Sequence, residues 1–442
     1  MISTVWILRI VVGGVFIISG VAKMIDPYGF IYKIQQYLAV WGWDVPESLI
    51  LVSSVALSGF EFLCGISLAA GSYKRVSVWI LTAVMAGMLP LSIYIAIADP
   101  VDDCGCFGDF IVISNSLTCL KNVAITVALV WLILYNRRVQ GIYWPYLQWI
   151  QIALGAIYIA VIGIIGYHEQ PLLDFRSYKV GTSLFECGSE NGDLRFIYER
   201  NGEKHEFAAD ELPDSSWTYV DRIDHALSED NALVLYDLDG DTDVTDDVAD
   251  AMSDGDAMVL LIPDVHKAGV ANTYIINELN SYMASRGGEM LAIIGSDKAA
   301  TENWIDMAMA EYPVYLAEAT AIKEIARGNM AVVYTKNGII QWKRTLWSIG
   351  DGLIERGADS GGLDSEDMVS GSRRFWAFTA LLIGALLFLW GLSRSAIGLR
   401  HHFSRKNEKK NVNLQQIEIS DNTDPDIMSN KDFTNKDKED LQ

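Results

Sequence analysis

The chain has 442 residues, 51% of them hydrophobic, and a formal net charge of −22. That length predicts several domains, and the acidic balance excludes nucleic acid as a partner, because phosphates need cationic neutralisation. The charge is unevenly placed: residues 168–371 hold 39 of the 56 acidic residues and 15 of the 34 basic ones, a net of −24. An acidic domain is therefore expected beside a near-neutral, apolar remainder.

Six apolar runs approach the ~20 residues that a helix needs to cross a bilayer. They lie at about 4–23, 48–70, 76–98, 116–135, 148–167 and 375–398. The first carries Arg9 and ends Ser19-Gly20-Val21-Ala22-Lys23 before Asp26-Pro27, which reads as a retained span and not a cleaved signal. Arg9 and Glu61 are ionisable groups inside apolar helices, and each costs a few kcal/mol there if unpaired. With the first span running outward and the second inward, both fall in the cytoplasmic half, and an Arg9–Glu61 ion pair is expected. Lys23 lies near the outer end of its span, where snorkelling is the simplest reading.

The short connections alternate in charge. Lys74-Arg75, Arg137-Arg138 and the basic residues after 398 share one side, which the positive-inside rule makes cytoplasmic. The opposite side holds the 24–47 loop, the 99–115 loop and residues 168–374. In a bacterium these would face the periplasm from the inner membrane, with both termini cytoplasmic. Arg373-Arg374, just before the last span, dissents from that assignment.

Residues 102–109 read Asp-Asp-Cys-Gly-Cys-Phe-Gly-Asp and connect two spans on the outer side. A bond between Cys104 and Cys106 would close a very small ring, and departures from ideal geometry make a disulfide more reducible. Such a bond suits an exchange site and is a poor staple. Cys119 starts the fourth span and is within reach of the loop, and Cys187 follows the fifth span; either is a candidate partner. Cys64 reads as a small packing residue. Two further readings stay open for the loop. One is a structural disulfide to Cys119. The other is a metal site, although zinc wants four ligands and the loop has no histidine. No metal is expected. Asp102, Asp103 and Asp109 would raise the thiol pKa values by like-charge repulsion, favouring an oxidised, disulfide-donating form.

Several of these features together resemble the DoxX/MauE-like membrane proteins over about residues 1–140. They are Arg9, the run from Phe16 to Lys23 into Asp26-Pro27, Glu61-Phe62-Leu63-Cys64-Gly65, and the Asp-Cys-Gly-Cys-Phe-Gly loop, which is specifically MauE-like. The resemblance implies a four-helix transmembrane bundle, laid out like the four-helix membrane thiol oxidoreductases. MauE is associated with maturation of a disulfide-rich periplasmic enzyme, so the resemblance implies that class of role.

After the fifth span (141–167), residues 168–256 read as a β-rich lead-in, with a hairpin from Tyr198 to Phe207 around Asn201-Gly202. Asp237–Asp243 invites a calcium-loop reading, but glycine is missing from the sixth position of either register, and a capped turn is expected. Residues 257–350 alternate as β-α-β-α-β-α-β-β, closing on a hairpin at Asn337-Gly338. This order resembles a thioredoxin-like domain. The turn after its first strand, where that family carries Cys-x-x-Cys, reads Pro263-Asp264-Val265-His266-Lys267-Ala268, without cysteine. His266 reads as a solvated surface residue. The domain is then a binding module. A linker (351–374), the sixth span (375–398) and a disordered cytoplasmic tail (399–442) complete the chain.

The fold class expected is a membrane all-α bundle with an inserted α/β thioredoxin-like periplasmic domain. The function expected is a multi-pass thiol–disulfide accessory acting through Cys104 and Cys106 on a periplasmic client or thioredoxin-like partner, in contact with membrane lipid. No cofactor is evident; a quinone is the class that would accept the electrons, but no residue set for one stands out. The rival readings are a non-catalytic scaffold or chaperone with a structural loop disulfide, and a membrane subunit of a quinone-linked oxidoreductase. Whether the chain is an enzyme is left open.

Overall fold

The computed structural model describes residues 2–101, 103–111, 113–136, 139–185, 195–200, 203–208, 217–223, 233–349 and 371–422. Its helices α1 (Ile2–Ile25), α3 (Glu47–Ala70), α4 (Lys74–Ala98), α5 (Asn115–Tyr135), α6 (Gln148–His168) and α11 (Gly371–Asn422) each carry a stretch long and apolar enough to span a membrane. Their outward faces are lined with exposed aliphatic side chains such as Ile7, Val52, Leu120 and Leu381, as hydrocarbon solvent requires.

The pairing of α1 with α3 is set by small residues. A methyl group on Gly20 would sit 2.6 Å from the Ser58 carbonyl oxygen, and one on Gly13 would sit 2.8 Å from the Gly65 carbonyl oxygen. Backbones that approach this closely tolerate no side chain between them. The contacts Gly13–Gly65 and Gly20–Ser58 lock the register of the two helices and put Ser19, not Arg9, level with Glu61. Ten residues separate Ser19 from Arg9, about 15 Å along the axis.

The 24–47 segment is not a plain loop. It holds α2 (Pro27–Val40), started by Pro27 and capped by Asp26, whose carboxylate accepts from Gly29 N at 2.9 Å. At 14 residues α2 is too short to cross a bilayer. It packs against α3.

The acidic part contains two sheets. Strands β1 (Arg195–Arg200), β2 (Glu203–Ala208) and β3 (Thr218–Ile223) form an antiparallel sheet in the order β2-β1-β3. Arg200 pairs with Glu203, so β1 and β2 form the expected hairpin, although its tip residues 201–202 lie outside the described chain. The larger sheet has the order β6-β5-β4-β7-β8, from β4 (Asp256–Ile262), β5 (Glu289–Ile294), β6 (Val314–Leu316), β7 (Ala331–Lys336) and β8 (Ile339–Thr345). Strands β4, β5 and β6 run parallel, and β7 and β8 run antiparallel to their neighbours. The short helix α7 (Thr245–Met252) precedes β4, and α8 (Thr273–Ser285), α9 (Lys298–Ala308) and α10 (Ala319–Ile325) intervene between the later strands. Residues of β4 alternate between two cores: Met258, Leu260 and Ile262 face Ile276 and Leu279 of α8, whereas Val259 and Leu261 face Ile322 and Ile325 of α10. Asn337 and Gly338 both adopt positive φ, as a two-residue hairpin requires. Asp237 closes its own turn, accepting from Asp241 N and Thr242 N.

This mixed-sheet domain is bolted to the bundle. Arg327, after α10, donates to Asp26 at 2.8 Å, and its guanidinium and the Lys323 ammonium lie over the Tyr32 ring of α2. Gln170 exchanges two hydrogen bonds with the backbone of Arg327. Lys267, in the turn after β4, reaches Glu47 at 2.7 Å. The dissenting Arg374 is explained here: it forks onto Glu169 with bonds of 3.0 and 2.7 Å, so its charge is locally neutralised.

The last helix differs from expectation. The span was expected to end at 398 and the tail to be disordered, but α11 continues through Asn422. No proline falls between Gly371 and Pro425, and the segment after 398 is rich in Lys, Arg, Glu and Gln, which are good helix formers. Residues 423–442 lie outside the described chain, as do residues 351–370 of the expected linker, whose remaining residues 371–374 belong to α11.

Candidate functional site

Cys104 and Cys106 are brought together at the end of the bundle that carries α2, with their sulfurs 2.7 Å apart. Gly105 between them adopts φ +66°, and a methyl group there would sit 2.6 Å from Lys33 Cγ. Only glycine fits this turn, which places the two flanking sulfurs side by side. Cys104 is buried and Cys106 half-buried, and both are free thiols.

Three elements hold the loop. From α2, the Tyr37 hydroxyl donates to the Cys104 carbonyl at 3.1 Å, and Lys33 pairs with Asp103. The Asp103 carboxylate also accepts from Gly105 N at 3.0 Å. From α5, the Lys121 ammonium lies 4.3 Å from the centre of the Phe107 ring. From α1, the Ser19 hydroxyl lies 2.7 Å from the Cys106 carbonyl oxygen and 2.8 Å from Glu61 Oε2. One hydroxyl proton serves one of these two acceptors at a time.

Beneath the loop is a buried ion pair. Lys23 Nζ contacts both Glu61 oxygens, at 3.0 and 2.8 Å, and the two side chains are 1% and 3% exposed. The expected Arg9–Glu61 pair does not form. Arg9 instead donates to neutral acceptors near the end of α5: Asn136 Oδ1 at 2.6 Å and the carbonyls of Asn136, Val139 and Gln140. Nor does Lys23 snorkel. The glycine-set register of α1 and α3 explains both corrections, because it carries Glu61 about three turns away from Arg9 and within one turn of Lys23.

The electrostatics also revise the expected influence of the acidic flanks. Asp103 is engaged by Lys33, and Lys23 and Lys121 both favour a thiolate on Cys106. The Cys104 thiol donating to it, helped by these two lysines and opposed by burial, brings Cys106 down to about 7. The same contact, together with burial, pushes Cys104 up. The side chains of Asp102 and Asp109 lie outside the described residues.

The other described cysteines, Cys64 and Cys119, stand apart. Cys119, on the second turn of α5, is a free thiol and is not bonded to the loop sulfurs. Cys64 is buried among Val12, Phe16 and Leu68. Cys187 lies outside the described residues. Ser19, Lys23, Lys33, Tyr37 and Lys121 were missed as site residues. Ser19 and Lys23 had a readable signal, since they are four residues apart and lie on one face of α1.

Bundle and loop together define a polytopic membrane protein with a paired-thiol loop above a buried ion pair. Residues 1–135 match the family described as methylamine utilisation protein MauE. That match spans α1 to α5 and includes the loop, and it makes this third of the chain MauE-like. Residues 193–229, which include β1 to β3, match a domain of unknown function, DUF8463. No curated protein matches the chain.

Proposed function

We propose that the protein exchanges disulfides with extracytoplasmic clients through Cys104 and Cys106. The observation that carries this reading is the pair of adjacent sulfurs, 2.7 Å apart, beside cations that favour a thiolate on the more exposed one.

In the oxidising direction the resting pair is a Cys104–Cys106 disulfide. A client thiolate attacks Cys106 Sγ, the S–S bond breaks, and Cys104 leaves and takes up a proton. The client's second thiolate then attacks the client sulfur of the mixed disulfide and expels Cys106. The client loses two electrons and the loop gains them. A leaving thiol of pKa near 7 departs readily at neutral pH, and stabilising the reduced form makes the oxidised pair a stronger oxidant. Disulfide donation is thus favoured here by a stabilised thiolate, the reverse of the argument that the acidic flanks suggested. Reoxidation needs a two-electron acceptor, for which a membrane quinone is the fitting class.

The topology β6-β5-β4-β7-β8 is consistent with a thioredoxin-like domain, and its turn at Pro263–Ala268 has no thiol. That turn and the segment after α10 face α2 and Glu47, so in this reading the domain braces the bundle that carries the thiols. In this reading the loop and the domain face the periplasm, which the basic connections on the other side support.

Thiol trapping tests the reading. In Cys104→Ser, Cys106 should accumulate mixed disulfides that Cys106→Ser lacks. If neither variant captures a client and no client's disulfides change, the loop is structural and the chain a scaffold.

A further inference from the structure

The acidic domain meets the bundle at a cavity of about 300 Å³ whose lining carries the opposite charge. Among the described residues, Lys179, Lys343, Arg344 and Arg374 line it with two carboxylates, Glu169 and Asp174. Those carboxylates are already committed. Glu169 takes the Arg374 fork and lies 3.6 Å from Arg344, and Asp174 is bonded by both Arg176 and Lys343. Burial pushes Asp174 up, but Arg176 and Lys343 outweigh it and hold the group at about 2, so it stays charged. Burial first, and then the neighbouring Arg176, bring Lys343 down to about 8.

Further donors face the same space. Gly371 and Ser372 of α11 line the cavity as well. Trp342 also lines it, 2% exposed, and its indole N–H has no acceptor among the described residues.

The level of the cavity says what kind of anion can reach it. It opens near the end of α6 and Gly371 of α11; the exposed Phe175 lines it, and Trp376, five residues along α11 from Gly371, is exposed. Exposed aromatic residues at the ends of spans mark the headgroup layer of a bilayer. The surrounding domain is strongly acidic and would repel dissolved anions, whereas lipid delivers a phosphate laterally.

From this juxtaposition we infer that the cavity is a binding site for the phosphate of an anionic phospholipid headgroup. Lys179 and Arg344 supply the outer cations, and the buried Lys343 supplies field. The ligand would tie α11 to the domain by neutralising the cations between them. The inference is independent of the thiol chemistry.

The test uses the full-length protein in mild detergent. Native mass spectrometry and thermal unfolding would compare phosphatidylglycerol, phosphatidylcholine and inorganic phosphate as added ligands. Phosphatidylglycerol should be retained and should raise the unfolding temperature; phosphatidylcholine should do neither. The Lys179→Gln/Arg344→Gln double variant should weaken phosphatidylglycerol binding by about tenfold or more. Should the double variant fail to fold, Lys179→Gln alone, at an exposed position, should still weaken it several-fold. Equal binding of both lipids, or unchanged preference in a folded variant, overturns the site. Full stabilisation by inorganic phosphate, with no further gain from lipid, overturns the assignment to lipid.

Discussion

Helix α1 carries two buried cations, and they are handled in opposite ways. Arg9 is matched by a side-chain amide and three backbone carbonyls at the end of α5, all of them neutral. A guanidinium there satisfies C-terminal carbonyls and complements the helix dipole. Lys23 is matched by a carboxylate, and through Glu61 and Ser19 the network continues to the backbone of Cys106. The first arrangement closes on itself and clamps two helices. The second opens onto a pair of thiols. A charge buried in a span is therefore not by itself a sign of chemistry; what its partner touches next decides.

Substitutions can break this contrast. Glu61→Ala strands Lys23 as an unpaired buried charge and should cost about 3–5 kcal/mol of stability, read by unfolding in detergent. The milder Glu61→Gln, where folded, removes a negative charge near the thiols and should lower the Cys106 pKa further. Arg9→Met leaves several carbonyls and Asn136 without their donor and should cost about 2–4 kcal/mol, yet leave thiol alkylation rates unchanged. If Arg9→Met altered those rates as much as Glu61→Gln, the two sites would not be separate.

Smaller effects sharpen the comparison at the sulfurs. Cys106 alkylation should follow its thiolate, rising with pH and reaching half its maximum near 7. In Cys104→Ala the donated hydrogen bond is gone, and the midpoint should move up toward about 8.5, the ordinary thiol value. Lys121→Gln should move it in the same direction by less than about one unit, since Lys23 remains. A midpoint that did not move in Cys104→Ala would remove the proposed interaction between the two thiols.

Much of the fold was legible because its signals are local. Apolar run lengths located the six spans, and alternation located the strands from 257 to 345 to within a few residues. Asn337-Gly338 announced its hairpin. The paired cysteines were legible for the same reason, one residue apart with a glycine between. What sequence reading missed depends on register. Assigning Glu61 to Arg9 assumed that spans align by their ends, whereas Gly13, Gly20 and Gly65 align them by close approach. Lys33, Tyr37 and Lys121 were invisible for a related reason: their value lies in reaching a loop 66 to 70 positions ahead or just behind them, which no spacing encodes. The segment that became α2 carried an Asp26 cap and Pro27, a readable start, but its polar mixture resembled a loop.

The central claim is that Cys104 and Cys106 form one two-electron couple. The most direct measurement is a redox titration of the purified full-length protein in glutathione or dithiothreitol buffers. Alkylation and intact-mass analysis would count free thiols in Cys64→Ala/Cys119→Ala/Cys187→Ala. The account predicts that two thiols appear together in a single transition, at a potential more oxidising than about −300 mV, where structural disulfides of secreted proteins are already resistant. Two thiols that stay free under oxidising buffers, or a bond that yields only well below that potential, would contradict it.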